Sequence, residues 1–412
     1  MKQVVITGIG AVSPNGLGRE AFKTALLTGK SGVNRISSFD PSPLDSQIAG
    51  EVRLNGHSFS KKEERNLPRV SQLALIASME ALEDAGMNPP AFSEQEKIRS
   101  GVIFGTGGGS AEFMEKHYET YFGQGALPPN LYVVSASTAG GLSSELSIRF
   151  GFRGKSHVIT TGCTSSSDAI GYAFHEIQAG RLDRVLTGGG DAPIAGGIMS
   201  GFCLMKILST RWNHAPEKAS RPFSKDRDGF VLGEGAWLFM LEEKSHAENR
   251  GAKIYAEILG YGSSCEAFHA VRLDEKGFGN LQALKLASEE AGVPPDAIDY
   301  VNLHGTSTQL NDRVETLAMK HFFGKKAYHT PMSSTKSMIG HPQGASGAAG
   351  LAATLLCMDE GMVHPTLNLD EQDGGCDLDY VANRARKHPV EYALCNTLGF
   401  GSKCSSLILK KC

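Results

Sequence analysis

Three short segments carry residue types that do chemistry together. Cys163 stands in Thr160-Thr161-Gly162-Cys163-Thr164-Ser165-Ser166-Ser167-Asp168, between a strand pattern and a helix pattern. A thiol at such a junction sits at a helix N-terminus. Free amides and the macrodipole there stabilise a thiolate and lower its pKa. A sharp turn would also present the residue's own N–H to a substrate oxygen. The bland alternative is a small-residue turn with a helix cap, its cysteine acting as a small buried apolar side chain.

The other two segments hold histidines. Asn302-Leu303-His304-Gly305-Thr306-Ser307-Thr308 follows a strand, and Ser333-Ser334-Thr335-Lys336-Ser337-Met338-Ile339-Gly340-His341 ends in a glycine turn before a helix. A lone histidine at a strand end is more often a hydrogen-bonded structural residue. Two of them, each beside glycine and hydroxyl residues, with a lysine five positions before the second, weigh toward catalysis. A cysteine nucleophile needs a partner to manage charge, and histidine is the usual one. Metal binding is the weaker reading. No close His/Asp/Glu spacing supports it, and none of the eight cysteines forms a Cys-x-x-Cys pair. No metal is expected.

Such residues need strands and helices to position them. Val4–Thr7, Gly101–Phe104, Val158–Thr160, Val185–Thr187, Ile254–Leu259, Tyr300–Leu303, Ala393–Thr397 and Ser405–Leu409 read as strands. Phe230–Leu241 is strand material interrupted by Gly233-Glu234-Gly235. Val70–Ala85, Ser137–Phe150, Ser166–Ala179, Leu281–Ala291, Thr308–Phe322 and Gly344–Met358 show helical spacing. This alternation predicts an α/β architecture with buried sheets. The best candidate boundary falls after the charged stretch Glu242–Arg250, giving parts 1–250 and 251–412. Glycine is abundant and clustered, at Gly105–Gly109, Gly188–Gly190, Gly340–Gly350 and Gly399–Gly401. Such clusters mark tight turns and close backbone approaches. Gly105–Gly109 lacks the Lys-Ser/Thr ending of a phosphate loop.

The 412 residues suffice for a large core without staples. A net charge of −3, with no basic block, disfavours a nucleic-acid binder. No apolar stretch approaches the length of a membrane span, and the start shows no signal-peptide pattern. A reducing, cytoplasmic setting is expected.

Taken in order, Gly162-Cys163-Thr164-Ser165, His304-Gly-Thr-Ser-Thr, Lys336-Ser-Met-Ile-Gly-His341 and Gly399-Phe400-Gly401 resemble the β-ketoacyl-acyl-carrier-protein synthases. Val4–Gly10, Ser220–Phe223, Asp226–Gly235 and Asp299–His304 look similar as well, so the resemblance spans the chain. It implies an α/β, duplicated thiolase-like fold layered α-β-α-β-α. It implies that Cys163 takes the acyl group and that His304 and His341 serve decarboxylation and condensation. Lys336 would pair with Glu315 and order the site. Phe400 would gate the cysteine and share with it the oxyanion-hole amides. Thr306 and Thr308 would hold the phosphopantetheine arm. That arm belongs to an acyl carrier protein, the expected partner, and the enzyme itself would need no cofactor, metal, nicotinamide or flavin.

Two branches of the family compete. Gly162–Ser165, Gln309–Thr316, Ser37–Asp45 and Cys376–Tyr380 look closer to the ketosynthase α subunit of type II polyketide synthases. That subunit pairs with a chain-length-factor sibling lacking the cysteine. The alternative is a homodimeric enzyme elongating fatty acyl chains. A non-condensing acyltransferase and a structural partner subunit rank lower, and a thiolase would need a second cysteine in a Cys-x-Gly-Gly setting. Two departures stand out. Gly350 occupies a position where the family usually has a glutamate that orders the histidine loop and a bound cation. Ser402-Lys403-Cys404 follows Gly401 where a glycine and an asparagine are usual, so the gate loop is expected to move differently.

Overall fold

The computed structural model describes residues 1–54, 59–123 and 132–412. Ten strands form one hydrogen-bonded path, joined by a short strand at Gly16–Leu17. They are β1 (Val4–Ser13), β2 (Ser100–Gly105), β3 (Ser156–Ile159), β4 (Arg184–Asp191) and β5 (Gly235–Glu243), then β6 (Ala256–Cys265), β7 (Tyr300–Asn302), β8 (Met332–Ser333), β9 (Tyr392–Gly399) and β10 (Lys403–Lys411). Their spatial order is β8-β7-β9-β10-β6-β1-β5-β4-β2-β3. All strands from the first part therefore lie on one side and all from the second on the other. The seam is the antiparallel pair β1 and β6, with Val4 opposite Ile258 and Ile6 opposite Ala256.

Six helices cover these strands: α1 (Arg69–Asp84), α2 (Gly141–Phe150), α3 (Ser165–Gln178), α4 (Phe278–Ala291), α5 (Gln309–Phe323) and α6 (Ser346–Asp359). Leu73, Ala77 and Ala81 of α1 and Leu142 and Leu146 of α2 pack on one outer face. Leu284 and Ala287 of α4 and Ala318 and Met319 of α5 pack on the opposite outer face. Between the two halves of the sheet lie α3 and α6, through Ala169, Ala173 and Phe174 against Ala348, Leu351 and Leu355. The layers run α-β-α-β-α, as the resemblance implies.

The two halves use the same packing device. In β1, a Cβ on Gly8 or Gly10 would lie 2.0 or 1.8 Å from the carbonyl oxygens of Ala81 or Ala77 of α1. In β6, a Cβ on Gly260 or Gly262 would lie 2.4 or 2.1 Å from those of Ala287 or Ala283 of α4. A Gly-x-Gly strand thus receives an Ala-x-x-x-Ala helix twice, backbone against backbone. A side chain at any of these four glycines would push its helix off the sheet.

One expectation needs correction. The single helix over 137–150 is two pieces, Val133–Ser137 and α2, separated at Thr138-Ala139-Gly140. The interruption expected within Phe230–Leu241 falls at Glu234. Leu232–Gly233 joins a small sheet with Ile48–Gly50, and Gly235–Glu243 enters the main sheet. Buried Glu234 pairs with Arg69 at 2.6 Å, which fixes the division.

Candidate active site

Cys163 lies in the turn between β3 and α3, two residues before the helix begins. Gly162 takes φ +73°, a conformation that favours glycine, and this turns the chain sharply. Behind the turn, Asp168 accepts from the Thr164 hydroxyl at 2.9 Å and from the Tyr261 hydroxyl at 2.7 Å. Tyr261 comes from β6, so the second half braces the Cys163 turn of the first. The Gly399–Phe400 turn packs onto the same segment. A Cβ on Gly399 would lie 3.1 Å from the Cys163 nitrogen.

His304 and His341 come from the second half, after β7 and before α6. One ring nitrogen of each and the Cys163 sulfur lie within 4.8 Å of one another, and all three residues are buried. The imidazoles meet edge to face, their centroids 5.2 Å apart. Both are held well below the usual histidine range, by burial first and then by the nearby Lys336 charge. Both are therefore neutral at physiological pH. Ser346 Oγ lies 3.0 Å from Nδ1 of His341, while Nδ1 of His304 has no hydrogen-bond partner among the described residues.

The thiol differs from expectation. Burial pushes the Cys163 pKa up to about 11, although the amides of Phe400 and Cys163 and the Lys336 charge pull the other way. The low-pKa helix-terminus thiolate is not what the fold builds. The amides aimed at the sulfur belong to the turn and to Phe400, and desolvation outweighs them.

Lys336 and Glu315 are also arranged differently from the expected pair. They interact electrostatically, but no ion-pair contact joins them. Glu315 instead accepts the backbone N–H groups of His304 at 2.7 Å and Gly305 at 2.8 Å, and the Asn396 amide at 2.7 Å. Burial raises its pKa, and burial lowers that of Lys336. Asp312, one turn earlier on α5, accepts the Thr306 N–H at 3.1 Å and pairs with fully buried Arg227 at 3.2 Å. The three-residue spacing on α5 sets both carboxylates on one face, where they hold the loop 304–306. Sequence reasoning missed Asp312, Arg227, Asn396 and Ser346. The first two lay inside stretches matched only by resemblance, and no local signal marks the others.

A cavity of about 190 Å³ opens over Cys163, His304 and His341. Thr306, Thr308 and Phe400 line it too, whereas Lys336 and Glu315 stand behind its wall. Thr306 and Thr308 share a hydroxyl hydrogen bond of 2.9 Å. Val271 and Arg272 form part of the cavity wall and are exposed. One thiol and two imidazoles could also grip a thiophilic ion. Two amides aimed at the sulfur suit a nucleophile whose substrate oxygen needs donors.

Both departures from the family pattern have structural consequences. A side chain on Gly350 would start 2.5 Å from Asn302 Oδ1. Asn302 in turn bonds Thr335 and His364 at 3.0 Å each, so neutral groups fill the space where a glutamate would stand. Ser402 adopts φ +61°. Its hydroxyl accepts from the His269 N–H at 3.2 Å and donates to the His269 carbonyl at 3.0 Å. Gly401 N–H donates to Ala270 O at 2.8 Å. The gate loop is thereby stitched to the segment leading to Val271 and Arg272.

Residues 1–247 match the family described as beta-ketoacyl synthase, N-terminal domain, and residues 255–370 match its C-terminal domain. A putative polyketide beta-ketoacyl synthase of Streptomyces cyaneus is 40% identical, over 99% of this chain and 98% of its own. A 3-oxoacyl-acyl-carrier-protein synthase 2 of Coxiella burnetii is 39% identical, over 100% and 99%. A type II polyketide ketosynthase solved with its acyl carrier protein and a hexaketide superposes with a TM-score of 0.92, at 31% identity, over 100% of this chain and 99% of that one. The ishigamide ketosynthase/chain length factor gives a TM-score of 0.91 at 31% identity, with the same coverage. With both family domains matched in order, around a cavity that joins a thiol to two neutral imidazoles, the chain belongs to the β-ketoacyl synthase family.

Proposed function

We propose that this chain joins an acyl group held on Cys163 to malonyl carrier protein by decarboxylative Claisen condensation, as the ketosynthase α subunit of a type II polyketide synthase. The observation that carries this reading is one buried cavity holding Cys163, His304 and His341, with two backbone amides turned on the sulfur.

The chemistry follows from the groups present. Cys163 attacks the incoming thioester carbonyl as its proton passes to a neutral imidazole. The amides of Phe400 and Cys163 hold the oxyanion. The carrier's thiol leaves with that proton, and the acyl group stays on the enzyme. Malonyl thioester then loses carbon dioxide, and the enolate oxygen accepts N–H donors from His304 and His341. A hydroxyl proton donated by Ser346 to Nδ1 leaves Nε2 of His341 protonated for that task. The carbanion attacks the acyl carbonyl, the β-keto thioester departs on the carrier, and a proton from solvent restores the thiol. Lys336 acts by charge and Glu315 by holding the His304 backbone. Thr306 and Thr308 hold the phosphopantetheine arm, which arrives on the carrier protein, so the chain needs no cofactor or metal of its own.

A second reading has a specific support: the Coxiella 3-oxoacyl-acyl-carrier-protein synthase 2 is almost as similar as the polyketide relative. For either branch we propose a dimer, with a chain-length-factor-like sibling or a second copy. Strand β3 is one of the two edges of the sheet, and Ile148 and Tyr172 on helices packed beside it are exposed. No described helix is long and apolar enough to cross a membrane. The eight free cysteines suit a reducing cytoplasm. Co-expression with a sibling chain, followed by product analysis, separates the branches. Polyketide products only with the sibling support the α-subunit reading. A homodimer elongating saturated acyl chains overturns it.

A further inference from the structure

Asp191 closes β4. It is fully buried and makes no ion pair among the described residues. Its two oxygens accept four hydrogen bonds. Oδ1 takes the Thr106 hydroxyl at 2.7 Å and the Gly108 N–H at 2.9 Å. Oδ2 takes the Gly107 N–H at 2.7 Å and the Gly344 N–H at 2.6 Å. The glycine run 105–109, which is no phosphate loop, is thus a cradle of backbone donors around a carboxylate of this same chain.

Three of the four donors follow β2 in the first half. The fourth stands three residues after His341 in the second. The two loops meet backbone to backbone, so that a Cβ on Gly344 would lie 2.2 Å from the Gly107 nitrogen. Asp191 and Gln343 also wall a second cavity of about 180 Å³, with Ile198 and Phe202 opposite, and Gln343 borders the catalytic cavity as well.

We propose that Asp191 is a positioning residue for the malonyl half-reaction, clamping the His341–Ser346 turn to the first half through Gly344. The proposal rests on the functional reading above. The backbone of His341 is bridged to the 231–233 segment, its N–H donating to Val231 O at 2.7 Å and its carbonyl accepting from Gly233 N–H at 3.0 Å. Beyond it, Gly344 N–H reaches Asp191 and Ala348 N–H reaches Ser166 Oγ at 2.9 Å, while Ser346 meets the imidazole within the turn. Releasing Gly344 frees the start of α6, which carries Ser346, and shifts the ring that must face the enolate. Acylation of Cys163 relies on the Phe400 turn, which Asp191 does not contact; the Asp191 charge only pushes the thiol pKa upward, so its removal does not hinder that step.

The test measures two rates on the full-length protein: acyl uptake on Cys163 from acetyl carrier protein, and carbon dioxide release from malonyl carrier protein. Asp191→Ala should lower carbon dioxide release about 10- to 100-fold, as expected when a reacting group is misplaced by up to an ångström, and lower acyl uptake much less. That variant orphans three buried amides, so milder variants accompany it. In Asp191→Asn the amide oxygen still accepts from Gly107 and Gly344, the amide nitrogen can donate to Thr106 Oγ, and the Gly108 N–H and Thr106 hydroxyl lose their acceptor. The same pattern should appear, weaker.

Two neighbouring glycines sharpen the readout. A Cβ on Gly107 would press on Gly344 N at 3.0 Å and Asp191 Oδ2 at 3.1 Å, whereas one on Gly108 meets only Asp191 Oδ1 at 3.6 Å. Gly107→Ala should therefore slow carbon dioxide release more than Gly108→Ala does. Equal falls in both half-reactions, or equal effects of the two glycine variants, overturn the role of Asp191 while leaving the reaction standing. A wild-type protein that performs neither half-reaction overturns the functional reading, and this proposal with it.

Discussion

Cys163 is a protected thiol that its substrate must reach, rather than a standing thiolate. It is buried and its pKa is raised to about 11, while Cys265 and Cys412 are exposed. Alkylation of the free protein should therefore label Cys265 and Cys412 before Cys163, since access and thiolate fraction set the rate. An acyl carrier protein thioester should label Cys163 alone, and the adduct should vanish in Cys163→Ala. Peptide mass mapping checks both orders, and an adduct persisting in the variant would remove Cys163 from its role. The sign of the pH dependence follows from the raised pKa. Between pH 7 and 10 the thiolate fraction grows about tenfold per unit, so Cys163 alkylation should climb without levelling. A plateau near neutrality would mean that the amides outweigh burial after all.

The strands that deliver the histidines are tied together by a third, His364. It is fully buried and lies 3.1 Å from the Tyr300 hydroxyl, 3.0 Å from Asn302 Nδ2 and 3.2 Å from Thr335 Oγ1. It thereby links β7 to the segment after β8. Burial lowers its pKa to about 4. Its folded pKa lies below the unfolded value, so the unfolded chain binds more protons between the two. Stability must then fall as pH drops from about 6.5 toward 4, by up to about 3 kcal/mol from this group. His364→Gln loses the network at pH 7 but escapes the protonation cost. The gap in urea midpoint between wild type and variant should narrow at pH 4.5, and a constant gap would contradict the burial argument. In the gate loop, Ser402→Gly relieves the positive φ but removes both bonds to His269. Exchange of the Gly401 amide, which donates to Ala270, should accelerate; unchanged protection would show that Ser402 does not pin the loop. Much of this level was legible beforehand. Strand–helix alternation, the Cys163 turn and both histidine loops all stand where the sequence pattern put them. The helix break at Thr138–Gly140 was hidden because apolar spacing continues across it. The seating of Glu315 on backbone amides was hidden because a carboxylate's partner depends on which loop the helix face meets. The thiol's pKa was misjudged because local sequence shows the helix start and not the burial around it. Gly8-x-Gly10 and Gly260-x-Gly262 were in plain view, but their Ala77/Ala81 and Ala283/Ala287 partners became visible only in the packed layers.

For the molecule as a whole, one half contributes the thiol and the other both imidazoles, and Tyr261 and Asp191 sew the halves together around them. A free edge at β3 leaves unpaired backbone groups that a partner would satisfy. Ile148→Asp and Tyr172→Asp, at side chains exposed in the single chain, should split the proposed dimer without unfolding the protomer. Light scattering and thermal melting together test this, and an intact dimer in both variants would move the interface elsewhere. In the proposed reaction a neutral imidazole pair activates malonyl thioester beside a cysteine that holds the acyl chain. Its most direct test is to measure both half-reactions in His304→Ala and His341→Ala, with intact-mass detection of the Cys163 adduct. Each loss removes one enolate donor, worth about 2.7–4 kcal/mol, so carbon dioxide release should fall about 10²–10³-fold. Acylation of Cys163 should fall far less. Equal losses in the two half-reactions would contradict the account and reduce the histidines to groups that position the thiol.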